Sequence, residues 1–111
     1  MAIAMAKVER YLISKIDNDD HSAIEVVDRY IDLMRMFRRM QKQIYDDGPT
    51  VEIQNGEQNY VKAHPLINDM KNINAQMLNL KKDIDRYMKE YQEKLRMEAA
   101  SKEYDSDELI S

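Results

Sequence analysis

The sequence predicts a mainly α protein: a long antiparallel helical hairpin with an inserted two-stranded β-hairpin, plus a short N-terminal helix. Three observations predict it. An apolar line from Leu66 to Tyr91 recurs at alternating intervals of four and three residues. An Asn55-Gly56 pair sits mid-chain between two short β-prone runs. The composition is 34% charged and 43% hydrophobic, with two Gly, two Pro, no Trp and nine Met, which fits extended helices better than a sandwich or a nucleotide-binding α/β fold.

Residues 2–16 read as a short helix, with Met5, Val8, Leu12 and Ile16 along one side. The run Asp17-Asn18-Asp19-Asp20-His21 interrupts it. Ser22 followed three residues later by Glu25 is a capping-box pattern that starts the first long helix, with Asp19 and Asp20 favourable beside its positive end. Ala23, Val27, Tyr30, Met34, Phe37, Gln41 and Ile44 then form its stripe, and Gly48-Pro49 stops it.

An Asn-Gly pair tolerates the positive φ that both central residues of a type I′ turn require. A turn centred on Asn55-Gly56 sets Val51 opposite Tyr60 and Ile53 opposite Gln58, with Glu52, Gln54, Glu57 and Asn59 on the other face. A lone two-stranded hairpin is marginal in water, so this one is expected to lean on the helices or on a neighbouring subunit. Pro65 suits a first helical turn, where a missing N–H costs nothing. Leu66, Met70, Ile73, Met77, Leu80, Ile84, Tyr87 and Tyr91 follow as the seam of the second long helix, extended by Leu95.

The expected organisation is therefore 1–21, short N-terminal helix and junction; 22–97, helical-hairpin oligomerisation domain with a β-hairpin at 50–62; and 98–111, an acidic, disordered tail. The packing seam is assigned to Val27, Met34, Phe37, Leu66, Met70, Ile73, Met77, Leu80, Ile84 and Tyr87. A pair of helices has one buried seam, a small core to set against the entropy of ordering the chain. Met36, Met40, Leu78 and Met88 lie off that seam. Either they mediate self-association, for which methionine is an adaptable residue, or the N-terminal helix covers them within one subunit.

The net charge of −4 is unevenly placed. Residues 98–111 carry one Lys and five acids, while the other 97 residues balance sixteen basic with sixteen acidic side chains. Attraction to phosphate must then come from local clusters. Arg35, Arg38, Arg39 and Lys42 share one helical face, as do Lys82, Arg86 and Lys89. Either group can contact phosphate without reading bases, or it can be an ordinary charge-laced solvated face. The tail, ending in Leu109-Ile110, is either a solvated terminus or a docking segment.

Catalysis is not expected. Cysteine is absent, which removes disulfides, thiolate metal sites and thiol nucleophiles. His21 and His64 are the only histidines, and no Gly-rich phosphate loop is present. The run Asp17, Asp19, His21 mimics a calcium loop superficially, but Ser22 stands where such a loop needs Gly, so a helix-capping junction explains it better. His64, just before Pro65, is placed to cap the second long helix or to pack on Tyr60. No cofactor and no metal are expected. The opening residues make a poor secretory signal, and no apolar run reaches membrane-spanning length, so no membrane partner is expected.

The stretch YDDGPTVEIQNGEQNYVKAHPLINDMKNINAQMLNL resembles the phage terminase small-subunit family. The resemblance rests on Gly48-Pro49, Val51, Asn55-Gly56, and His64-Pro65-Leu66 before Asn68, Asn72 and Asn74, with DRYIDLMRMFRRMQKQIY similar to the family's first long helix. It covers roughly residues 20–84. It departs from the family at LKKDIDRYMKEYQEKL, which keeps a helix running where a Leu-Gly-Leu-Thr-Pro-like stretch is usual. Residues 1–21 are also too short for a complete helix-turn-helix domain.

The resemblance implies a non-enzymatic, ring-forming homo-oligomer that serves viral DNA packaging in the cytoplasm of the bacterial host. Its implied partners are the large terminase subunit, which carries the ATPase and nuclease, and double-stranded phage DNA. The alternative is a helical structural or adaptor protein that binds another protein through its coiled helices, with no nucleic-acid role.

Overall fold

The computed structural model describes residues 3–56 and 58–110, with side chains described for all of these except 53, 55, 58–60 and 104–110. Three helices and one hairpin follow in chain order: α1 (Met5–Ser14), α2 (His21–Asp47), β1 (Thr50–Asn55), β2 (Gln58–Ala63) and α3 (Leu66–Ile110). They form a rod with extents of 91 × 22 × 18 Å.

The junction after α1 is built by its carboxylates. Asp17 Oδ1 accepts from the Asp19 N–H at 3.0 Å, and the Asp17 carbonyl accepts from the Asp20 N–H at 3.0 Å, which closes a tight turn. Asp20 then caps α2: its Oδ1 accepts from the N–H groups of Ser22 (3.1 Å) and Ala23 (3.2 Å). This corrects the expected Ser22 cap. Both residue types cap well, but the Asp17 turn already holds Asp20 outside helical geometry, and a carboxylate gains more from the positive helix end than a hydroxyl does.

At the other end of α2 the Gly48 N–H bonds to the Ile44 carbonyl at 2.7 Å, and Gly48 takes φ +86°, where a side chain would be strained. The hairpin pairs antiparallel in a register different from the one expected: Val51 faces Lys62, Ile53 faces Tyr60 and Asn55 faces Gln58. Among the described residues of the turn only Gly56 takes positive φ (+65°), and Asn55 stays in the strand opposite Gln58, so the turn moves one residue along the chain. A primed turn needs positive φ first of all at its leading position, and Gly meets that at lower cost than Asn. The resulting slip is two residues, an even number, so residues expected to share a face still share one. The side-chain pairing expected at Ile53, Gln58 and Tyr60, the positions of Glu57 and Asn59, and the contact of Tyr60 with His64 lie outside the described residues.

Three helices meet in one core. Leu12 and Ile16 from the α1 end, Ala23, Val27 and Ile31 from α2, and Ile84 from α3 are all buried. Tyr30, Tyr87 and Met88 pack around them. All ten seam residues expected from the sequence are buried or half-buried. The fully buried positions on each long helix nevertheless include pairs eleven residues apart, Ala23 with Met34 and Ile73 with Ile84. That spacing follows a nearly straight helix rather than a strict heptad. The drift also moves Ile31 into the core and leaves Gln41, on the expected stripe, exposed.

Met88 packs against this cluster, whereas Met36 and Leu78 remain 45% and 57% exposed. The three-helix cluster therefore takes in one off-seam residue and leaves Met36 and Leu78 open. α3 is helical through Ile110, past the expected end at residue 97. No Gly or Pro follows Pro65, and Ala99-Ala100 favours continuation, so charge alone does not end the helix. The terminal Leu109 and Ile110 side chains lie outside the description. Among the described residues no helix is long and apolar enough to cross a membrane.

Candidate nucleic-acid interface

The α2 basic group sits on the helix's C-terminal half. Arg35 pairs with Asp32 of its own helix at 2.9 Å. Arg38 is half-buried, while Arg39 and Lys42 are exposed. On α3, Arg86 lies between Asp83 (3.8 Å) and Glu90 (3.4 Å), with its guanidinium carbon 4.7 Å from the centre of the Tyr87 ring. Lys82 and Lys89 are exposed. Arg38, Arg39, Lys42, Lys82 and Lys89 make no ion pair among the described residues. Of the two groups, these five are the cations left for an external anion. Pairs such as Arg29–Glu25 at 2.6 Å lie along one helix in full solvent, where they contribute little to stability.

The fold does not bring the two basic groups together. Phe37 shares a surface groove with Ile67, Met70 and Asn74, which sets the α2 group beside the first turns of α3. The Lys82–Lys89 group lies roughly 25 Å further along the rod by helical rise. Each is thus a separate small patch.

An apolar stripe runs beside them. Leu33, Met36, Phe37, Met40 and Ile44 recur on α2 at helical spacing, and none is fully buried. At Leu33 the stripe meets Leu80 across a groove of about 450 Å³ that is flanked by Asp83 and Gln76. Leu33 was missing from the off-seam set read from the sequence, although its spacing from Met36 and Met40 was visible there.

Two long-range polar contacts hold the helices together at either end of α2. At the hairpin base His64 is buried, and its Nε2 lies 2.9 Å from Asp47 Oδ2. Its Nδ1 accepts from the Leu66 N–H at 3.2 Å, capping α3, so a neutral ring carries its proton on Nε2 and donates it to Asp47. The His64 backbone N–H also donates to the Pro49 carbonyl at 2.9 Å. Hydrogen bonds from His64 and then from Gln43 hold the Asp47 carboxyl below the usual carboxylate range. At the opposite end Lys94 Nζ meets Asp17 Oδ2 at 2.9 Å, which lowers Asp17 and raises Lys94. Of these four, the sequence pointed to His64 as a cap and to Asp17 as part of the junction before α2, but not to Asp47 or Lys94. The partners are distant in the chain, and nothing local marks them.

A family model described as phage terminase, small subunit, matches residues 14–103. The chain belongs to the phage terminase small-subunit family. Neither the curated proteins nor the solved structures contain a match. Membership supports a role in phage DNA packaging, and the matched span takes in the α1–α2 junction, α2, the hairpin and most of α3. Both basic patches and the apolar stripe of this terminase small-subunit chain fall inside it.

Proposed function

We propose that the chain is a non-enzymatic, ring-forming component of viral DNA packaging, working in the cytoplasm of the bacterial host with the large terminase subunit as partner. What carries this reading is the family match over residues 14–103, joined to an apolar stripe on α2 that the monomer covers only in part. The stripe from Leu33 to Ile44 is the assembly surface, with Leu78 as a second contribution. A contact between unlike surfaces closes into a ring when its rotation permits.

Assembly gives the small basic patches their effect. One patch holds DNA weakly and without reading bases, but a ring repeats it, and linked weak contacts act together. The residues assigned to phosphate are Arg38, Arg39 and Lys42, with Lys82 and Lys89 as a second set. Arg35 and Arg86 stand behind them, engaged with their own acidic neighbours. Titration of double-stranded DNA over a salt series tests this. Each chain engaging Arg38, Arg39 and Lys42 adds roughly −3 to the slope of log K against log salt. Joint reversal to Glu at these three positions should remove that increment, and an unchanged slope overturns the assignment.

A second reading, an adaptor that binds only protein, draws support from the pairing of Arg35 and Arg86 within their own helices. It requires that the triple charge reversal leave partner binding and packaging intact.

A further inference from the structure

The acidic segment with an apolar end at 98–111 has no part in the assembly or phosphate surfaces above, and a groove elsewhere on the rod has the complementary character. Between α1 and the α2–α3 pair runs a groove of about 420 Å³, walled by Ile3, Val8, Tyr11 and Tyr30 with Lys7 and Lys81 at its edges. Ile3 is 63% and Tyr11 57% exposed, so the apolar wall is open to solvent. Lys15 adds a third cation, 5.8 Å from the centre of the Tyr11 ring. Lys7 makes no ion pair among the described residues, and Lys81 is held only by its helix neighbour Asp85.

We propose that this groove receives residues 98–111 of a second copy of the chain. The charge fits: the segment carries −4 and faces a lysine-edged groove. Its composition fits as well, since Tyr104, Leu109 and Ile110 offer the apolar groups that such walls bury. Geometry excludes the chain's own groove. α3 runs unbroken from Leu66 to Ile110, and residues 92–103 are exposed as it leaves the bundle. Leu109 is therefore carried roughly 40 Å along the helix from Lys81, with no bend to bring it back. The contact joins unlike surfaces, tail to groove, and so it propagates from copy to copy. It is separate from the α2 stripe and adds a second link to any assembly made there.

Cross-linking in a mixture of light and heavy isotope-labelled full-length chains tests the proposal, using a zero-length reagent that joins amines to carboxylates. The expected products are mixed light–heavy links from Lys7 or Lys81 to Glu103, Asp105, Asp107 or Glu108. Their yield should fall roughly ten-fold in Ile3→Asp and in Tyr11→Ala, exposed positions whose variants keep the helical circular dichroism. The links should persist in Met36→Asp, which separates this contact from assembly through α2. Absence of mixed links, tail links confined to one chain, mixed links that join the groove lysines only to acids outside the tail, or a yield unchanged in both groove variants overturns the proposal; the Lys81–Asp85 link within one helix forms in either case and is set aside.

Discussion

His64 Nε2 stands 2.9 Å from Asp47 Oδ2, a contact between residues seventeen apart in sequence that fixes where α2 ends and α3 begins. The same ring caps α3 through the Leu66 N–H. Removing it strands a part-buried backbone donor and releases the Asp47 carboxylate, so His64→Ala should lower stability by about 1–3 kcal/mol. His64→Asn keeps an acceptor near the Nδ1 position but loses the reach to Asp47, and it should fall between wild type and alanine. Urea unfolding followed by circular dichroism ranks the three.

The acid limb of stability should depend on Asp47 and Asp17. Both carboxyls are depressed in the folded chain, Asp47 by His64 and Gln43, and Asp17 by Lys94 and the Asp19 N–H. A depressed carboxyl stabilises the fold fully above its unfolded value of 3.8, and this is lost as pH falls from there through the folded value. Asp17→Asn and Asp47→Asn should each flatten the stability–pH curve below that point. Lys94 has the opposite sign: its raised value gives a contribution that is complete below 10.5 and lost as pH rises beyond it. Melting temperature against pH for the wild type and these variants checks both signs.

Gly48 holds φ +86°, and a Cβ built there meets nothing within 4 Å. Its ψ of 162° lies outside the left-handed helical region that Asn tolerates, so Gly48→Ala and Gly48→Asn should both cost backbone strain without a clash, about 1–3 kcal/mol. A loss for Gly48→Asn well below that for Gly48→Ala in urea unfolding would contradict this conformational origin.

The core is concentrated where the three helices meet. Ile84 is 0% exposed, whereas Leu95 on the same helix is 46% exposed. Ile84→Ala should cost about 2–5 kcal/mol by opening a cavity, and Leu95→Ala less than about 0.5 kcal/mol. Chemical denaturation of both variants measures the contrast, although both positions lie on one apolar line in the sequence.

That contrast marks what the sequence carried and what it did not. The helix start at Leu66, the stop at Gly48-Pro49 and the hairpin between them were legible because Gly, Pro and Asn-Gly constrain the backbone locally. The choice of Asp20 over Ser22 as cap was not, since neighbouring capping residues compete and the Asp17 turn decides between them. The hairpin register turned on which residue of Asn55-Gly56 leads the turn. Ile31 escaped notice because a heptad template drifts from the 3.6-residue period of a nearly straight helix. At the candidate site the basic residues were legible as helical faces. Which of them are already paired, and how far apart the two faces lie along the rod, depends on tertiary geometry. The His64–Asp47 and Asp17–Lys94 contacts join segments distant in the chain and left no local pattern.

The central claim is that the α2 stripe from Leu33 to Ile44 joins copies of this chain. Native mass by light scattering, on wild type and on Met36→Asp, tests it most directly. The account predicts a wild-type mass several times the 13.2 kDa of one chain, falling sharply in Met36→Asp with helical content retained. A wild-type mass of 13.2 kDa across the accessible concentration range, or a mass unchanged by Met36→Asp, would contradict it.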